Sequence, residues 1–148
     1  MPIWGDTASG WKNIGYPFIN ISGNWKIVTD AWNNVGGVWK RCFGGPVVVT
    51  VSSSSAFGQY TGVGAGTATT FSVTASPNNG VGPYTYLWQY VSGDASTVVT
   101  SSTAATTTFS RNGTAPAGPF YSNWQCKVTD STGRIGYSPV VQVITLFT

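Results

Sequence analysis

The sequence predicts an all-β protein, a small N-terminal β-hairpin module followed by a β-sandwich. Three observations carry that expectation. Apolar and polar residues alternate with period two over several short runs. Turn chemistry rich in Gly, Pro, Asn and Asp separates those runs. Helical periodicity is convincing nowhere in the 148 residues.

Residues 1–45 hold five of the seven tryptophans. A Trp-Lys-x-apolar unit recurs there as Trp11-Lys12-Asn13-Ile14, Trp25-Lys26-Ile27-Val28 and Trp39-Lys40-Arg41-Cys42, with a degenerate copy at Trp32-Asn33-Asn34-Val35. The heptad spacing over 25–39 suggests a coiled coil, but Gly23, Asn33-Asn34 and Gly36-Gly37 oppose a helix, each glycine by about 1 kcal/mol. A hairpin turning at Gly36-Gly37 is expected instead, with Val35 paired to Val38, Asn34 to Trp39 and Trp32 to Arg41. Period-two alternation then gathers Trp32, Trp39, Arg41 and Phe43 on one face, with Asp30 able to meet Arg41 at its edge, and Val35, Val38, Ala31 and Cys42 on the other. A segment of this size is near the lower limit for burying a core alone, so the sandwich or another subunit is expected to cover it.

These units resemble a short module of bacteriophage tail, fibre and minor virion proteins, in which aromatic-Lys-x-Val units alternate with a Gly-Gly-x-Trp-Lys turn. The matching residues are Gly23-Asn24-Trp25-Lys26-Ile27-Val28, Ala31-Trp32-Asn33-Asn34-Val35 and Gly36-Gly37-Val38-Trp39-Lys40. The resemblance implies a structural role in the virion, in head, neck or tail. For Trp25, Trp32 and Trp39 three readings stay open: burial within their own module, burial between virion subunits, and stacking on sugar rings.

Residues 46–148 begin with the β-branched run Pro46-Val47-Val48-Val49-Thr50-Val51, ended by Ser52-Ser53-Ser54-Ser55. A Gly-rich connection is expected from Gly58 to Gly66. Thr70-Phe71-Ser72-Val73-Thr74-Ala75 follows, a half-buried strand with Phe71, Val73 and Ala75 on one face. After the turn at Ser76-Pro77-Asn78-Asn79-Gly80, the run from Tyr84 to Tyr90 sets Tyr84, Tyr86, Trp88 and Tyr90 on one side and is expected to be the central strand. Further strands are expected over Thr97 to Thr100, Ala105 to Ser110, Tyr121 to Thr129 and Tyr137 to Thr145, with Asp130-Ser131-Thr132-Gly133 a turn. About seven short strands in about 100 residues suit a sandwich.

This region resembles immunoglobulin-like modules, in particular those appended to virion and extracellular proteins. Trp88 in Tyr86-Leu87-Trp88 looks like the core tryptophan of strand C, and Trp124-Gln125-Cys126 looks like strand F with its cysteine. Phe71 and Val73 stand where a partner cysteine would sit, and Trp124 replaces the usual tyrosine two before Cys126. The resemblance implies a core of Phe71, Val73, Trp88, Trp124 and Cys126.

Composition narrows the chemistry. Only 7% of residues are charged, against roughly 25% in ordinary domains. There is no His, and the four acidic residues are Asp6, Asp30, Asp94 and Asp130, widely separated. Ser-His-Asp and Cys-His catalysis and sites built on Cys and His are therefore excluded, and no loop has calcium spacing. No catalytic residue, metal or cofactor is expected. Seven scattered cations form no stripe that could follow a phosphate backbone, so no nucleic-acid partner is expected. Gly62-Val63-Gly64-Ala65-Gly66-Thr67 faintly resembles a phosphate-binding loop but leads into a strand, and a flexible loop is the expectation. Asn20-Ile21-Ser22 and Asn112-Gly113-Thr114 match the glycosylation triplet by chance. Cys42 and Cys126 are expected to be free, partly buried thiols. No secretory signal or membrane span is evident at the residues given.

The resulting expectation is a non-enzymatic phage structural protein, a tail, fibre or capsid-decoration component assembled in the host cytoplasm and resident in the virion. Residues 1–45 would anchor it through Trp11, Lys12, Trp25, Lys26, Trp32, Trp39, Lys40, Arg41 and Phe43, to other virion proteins or to copies of itself in a homo-oligomer. Residues 46–148 would be displayed outward, with host-surface glycans as weak ligands. The alternative is a secreted carbohydrate-binding module with exposed tryptophans.

Overall fold

The computed structural model describes residues 46–148 in full, and within the first 45 residues it describes the strand segments 4–5, 12–13, 18–21, 24–27, 30–35 and 38–44 at the level of backbone pairing. Every regular element among the described residues is a strand. The chain divides into two compact units, Met1–Pro46 and Val47–Thr148.

The first unit contains three two-stranded antiparallel sheets. They pair β1 (Trp4–Gly5) with β2 (Lys12–Asn13), β3 (Phe18–Ile21) with β4 (Asn24–Ile27), and β5 (Asp30–Val35) with β6 (Val38–Gly44). The sequence leads one to expect one hairpin; the described residues form three such pairs.

The second unit is a β-sandwich. Its strands are β7 (Val48–Val51), β8 (Ser55–Tyr60), β9 (Gly64–Thr69), β10 (Val73–Asn78), β11 (Thr85–Gly93) and β12 (Val98–Val99). They continue with β13 (Thr106–Thr107), β14 (Phe109–Ala115), β15 (Ala117–Thr129), β16 (Ile135–Tyr137) and β17 (Val141–Phe147). One layer runs in the order β11-β15-β17-β8, with β16 also on β15, and β8 is parallel to β17. Opposite it lie β7-β10-β13 and β9-β14-β12. The paired segments β9 with β14 and β10 with β13 follow one another along the chain, so they read as one interrupted pair of strands. The layers then follow the A-B-E-D and C-F-G arrangement of immunoglobulin-like sandwiches.

The interruption corrects one expectation. Three residues, 70–72, stand opposite the two residues 108 and 109 between the paired stretches, which is a bulge that resets the alternation. Ala68, Thr70, Val73 and Ala75 are buried, whereas Phe71 is 52% exposed and is not a core residue. Phe109 fills the core at this level instead; its amide donates to Thr70 Oγ1 (3.0 Å), and its carbonyl accepts from the Thr70 amide (2.9 Å).

Two further expectations change. The aromatic strand β11 lies at the edge of its sheet, and β15 is inside it; the four aromatic residues report one packed face, which an edge strand also has. The segment expected as a Gly-rich loop is largely strand, because β8 and β9 leave only residues 61–63 between them. Its glycines make room for the Tyr60 ring, since a Cβ on Gly66 would lie 2.1 Å from a Tyr60 ring carbon.

The core joins Val73, Ala75 and Phe109 of one layer to Trp88, Trp124, Cys126, Val128, Val141 and Val143 of the other. Phe109 stands between the two indoles, with centroids 5.7 Å from Trp88 and 5.3 Å from Trp124. Each buried indole N–H finds an acceptor: Trp88 Nε1 donates to the Ala104 carbonyl (3.0 Å) and Trp124 Nε1 to Ser122 Oγ (3.1 Å). This satisfies the polar end of side chains buried for their apolar area.

Candidate functional site

The expected anchor residues lie in the first unit, and backbone register places them. In the β5–β6 hairpin Val35 pairs with Val38, Asn34 with Trp39, Asn33 with Lys40 and Trp32 with Arg41, the register that a two-residue turn between positions 35 and 38 requires. Beyond Arg41 the register shifts, and Phe43 pairs with Ala31 and Asp30 with Gly44. Cys42 is the extra residue. A one-residue bulge breaks the alternation, so Phe43 takes the register position beside Ala31 and leaves the row of Trp39 and Arg41, while Asp30 pairs with Gly44.

The other two hairpins repeat this register. Lys12 pairs with Gly5, Lys26 with Ile19 and Lys40 with Asn33, each set 14 residues after the last. Trp4 opposite Asn13, Phe18 opposite Ile27 and Trp32 opposite Arg41 form the next row of the same ladder. Trp25 opposite Asn20 and Trp39 opposite Asn34 form the row nearer the turn. The Trp-Lys units are thus the return strands of one hairpin used three times, with an aromatic residue seven positions before each Trp. Trp11, expected as an anchor, lies outside the described residues. The sequence shows the Trp-Lys spacing and the β5–β6 hairpin but not the two hairpins before it; the Ser22-Gly23 dipeptide between two β-prone runs is the signal that could have found the second.

In the second unit the carboxylates are engaged locally. Asp94 Oδ2 accepts from Arg111 Nε (2.5 Å), whose guanidinium also covers the Phe120 ring at 3.5 Å. Burial pushes the Asp94 carboxyl up, but the bonds from Arg111 and Ser96 and the Arg111 charge outweigh it and hold it below the ordinary value. Asp130, 5% exposed, closes the expected turn. It accepts from the amides of Val81 (3.0 Å), Thr132 (2.9 Å) and Arg134 (2.9 Å), from Thr132 Oγ1 (2.7 Å) and from Arg134 Nε (3.1 Å). These bonds overcome desolvation and lower its pKa. Both carboxylates are therefore tied into loops.

Cys126 is free and fully buried, and burial pushes its thiol up to about 11. Cys42 is placed only by the register above. An open trough of 520 Å³ lies over β9 and β14, lined by Ala65, Gly66, Thr67, Asn112, Gly113 and Thr114. Its side chains are small and uncharged, and Thr67 Oγ1 already donates to Asn112 Oδ1 (2.7 Å). Among the described residues no group of three His, Cys, Asp or Glu could hold a metal. No protein-family model and no curated protein matches the chain.

Proposed function

We propose that this chain is a non-enzymatic structural protein of a bacteriophage virion. Residues 1–45 anchor it to other virion proteins or to copies of itself, and residues 46–148 form a displayed sandwich whose contribution is attachment or a hydrated coat. The observation that carries the reading is the threefold use of one hairpin, with Lys12, Lys26 and Lys40 at one register position and an aromatic residue in the next row of every copy.

A two-stranded sheet is marginal in water by itself, because it has no second layer against which to bury a face. A repeat of such sheets, rich in tryptophan, gains stability by covering those faces, at about 25 cal/mol per Å² removed from water. Indoles with Arg have the composition of interface centres, and lysines suit the polar rim around them. The residue content supports the absence of turnover: a chain with no His and four scattered Asp is poor in proton-transfer groups.

Expression of tagged full-length chain and of residues 46–148 alone during infection, followed by particle purification, tests this. The full-length chain is expected in the particles and the truncated one outside them. Equal recovery of both would contradict the anchoring role.

A further inference from the structure

The outer face of the β11-β15-β17-β8 layer is built of cross-strand rows. At one end Leu87, Lys127 and Tyr137 lie side by side; at the other Tyr121, Ile144 and Phe57 do. Tyr137, Tyr121 and Phe57 are 54%, 50% and 44% exposed. Between those ends Gln89 lies beside Gln125, and Asn123 beside Gln142. The intervening positions, including Trp88, Cys126, Ser122 and Val143, point into the core, which fixes the face. Lys127 is the one charge in these rows. Tyr121 and Lys127 are six residues apart, about 20 Å along the strand.

A protein partner is best held by an apolar centre with a polar rim. Here the order is inverted, with amides in the middle and aromatic rings at both ends. An anionic ligand would call for more than one cation, and a compact apolar one for a closed pocket. What fits is an extended, uncharged, hydroxyl-rich molecule whose rings stack at the ends while amides, which both donate and accept, serve its hydroxyls between. Two of the amides are held in place: Gln125 Nε2 donates to the Ser138 carbonyl (2.7 Å) and Asn123 Nδ2 to Ser92 Oγ (3.0 Å). Their carbonyl oxygens are thereby oriented before any ligand arrives.

We infer that this face binds a neutral oligosaccharide of about four sugar rings lying along β15, its length set by the strand rise. The inference deepens the attachment role proposed above and rests on it, but it is read on the purified chain and the anchoring role on particles, so the two can fail separately.

The test is an NMR titration of the isotope-labelled full-length chain with cellopentaose, chitopentaose and maltopentaose at millimolar concentration. At least one should shift amide signals of β11, β15, β16 and β17 around these rows. A Tyr121→Ala/Tyr137→Ala variant with unchanged thermal unfolding should bind it at least about fivefold more weakly, as should Gln89→Ala/Gln142→Ala. No shift with any of the three sugars, shifts confined to other surfaces, or binding indifferent to both variants would overturn the inference. So would concentration-dependent broadening of the same signals without sugar, which would assign the face to a second copy of the chain.

Discussion

Trp88 and Cys126 are direct cross-strand partners on β11 and β15, 2% and 0% exposed. The indole and the thiol occupy the sandwich centre, where an immunoglobulin-type domain would set a disulfide, yet Cys126 is free. Packing around Phe109 and the two indoles therefore has to supply the cohesion that a cross-link would add.

The Cys126 thiol should be inert in the folded chain. In a Cys42→Ser background it should resist a thiol reagent at pH 8 until the domain unfolds. Its folded pKa, about 11, lies above the ordinary 9.0. Its contribution to stability is thus complete below about pH 9 and lost as pH rises toward 11. Denaturant midpoints measured across that range check the direction, and a Cys126→Ala variant should show a shallower decline.

Asp130 should govern acid stability. Its folded pKa is lowered, so its contribution is present above the unfolded value of about 4 and is lost as pH falls through the folded value. Asp130→Asn loses the charge that five donors face. A cost of about 2–3 kcal/mol near neutral pH is expected, with a flatter profile below pH 5. Equilibrium unfolding of both chains over pH 3–7 measures it.

Phe109 and Phe71 should differ sharply. Phe109→Ala empties a fully buried site between Trp88 and Trp124 and should cost about 3–5 kcal/mol. Phe71→Ser changes a half-exposed bulge residue and should cost no more than about 1 kcal/mol. Paired denaturant curves decide; equal costs would place Phe71 in the core after all.

Thr145 is fully buried, and its hydroxyl has no hydrogen-bond partner among the described residues. Thr145→Val keeps the shape and removes an orphaned polar group, so it should raise stability by about 1–2 kcal/mol. A fall in the unfolding midpoint would mean that the hydroxyl is satisfied in solution.

What could be read from the sequence was what depends on local chemistry. Gly36-Gly37 announced a two-residue turn, and the register from Val35–Val38 to Trp32–Arg41 follows from it. Trp88 and Cys126 marked two strands of one core, and these strands are neighbours. What could not be read depends on insertions into a ladder. The bulges at Cys42 and at residues 70–72 leave no mark on an alternating sequence, because the residues around them keep the same pattern while the partner strand loses one place. Phe43 and Phe71 were both misplaced for this reason. The position of β11 in its sheet was hidden because sheet order is set by partners far along the chain. The hairpin repeat was half visible, since its return strands carry Trp-Lys while the dipeptides between paired strands differ in sequence, Ser22-Gly23 in one copy and Gly36-Gly37 in the next.

The most direct test of the anchoring role is competitive incorporation. Full-length chain carrying Trp32→Ala and Trp39→Ala is co-expressed with wild type during infection, and the ratio of the two is measured by mass spectrometry in purified particles and in the lysate. The variant should keep the cooperative unfolding of the Val47–Thr148 sandwich and yet be depleted from particles at least about tenfold, equivalent to about 1.4 kcal/mol of docking energy. Equal ratios in particles and lysate, with both chains folded, would contradict the claim that the N-terminal hairpins hold the protein in the virion.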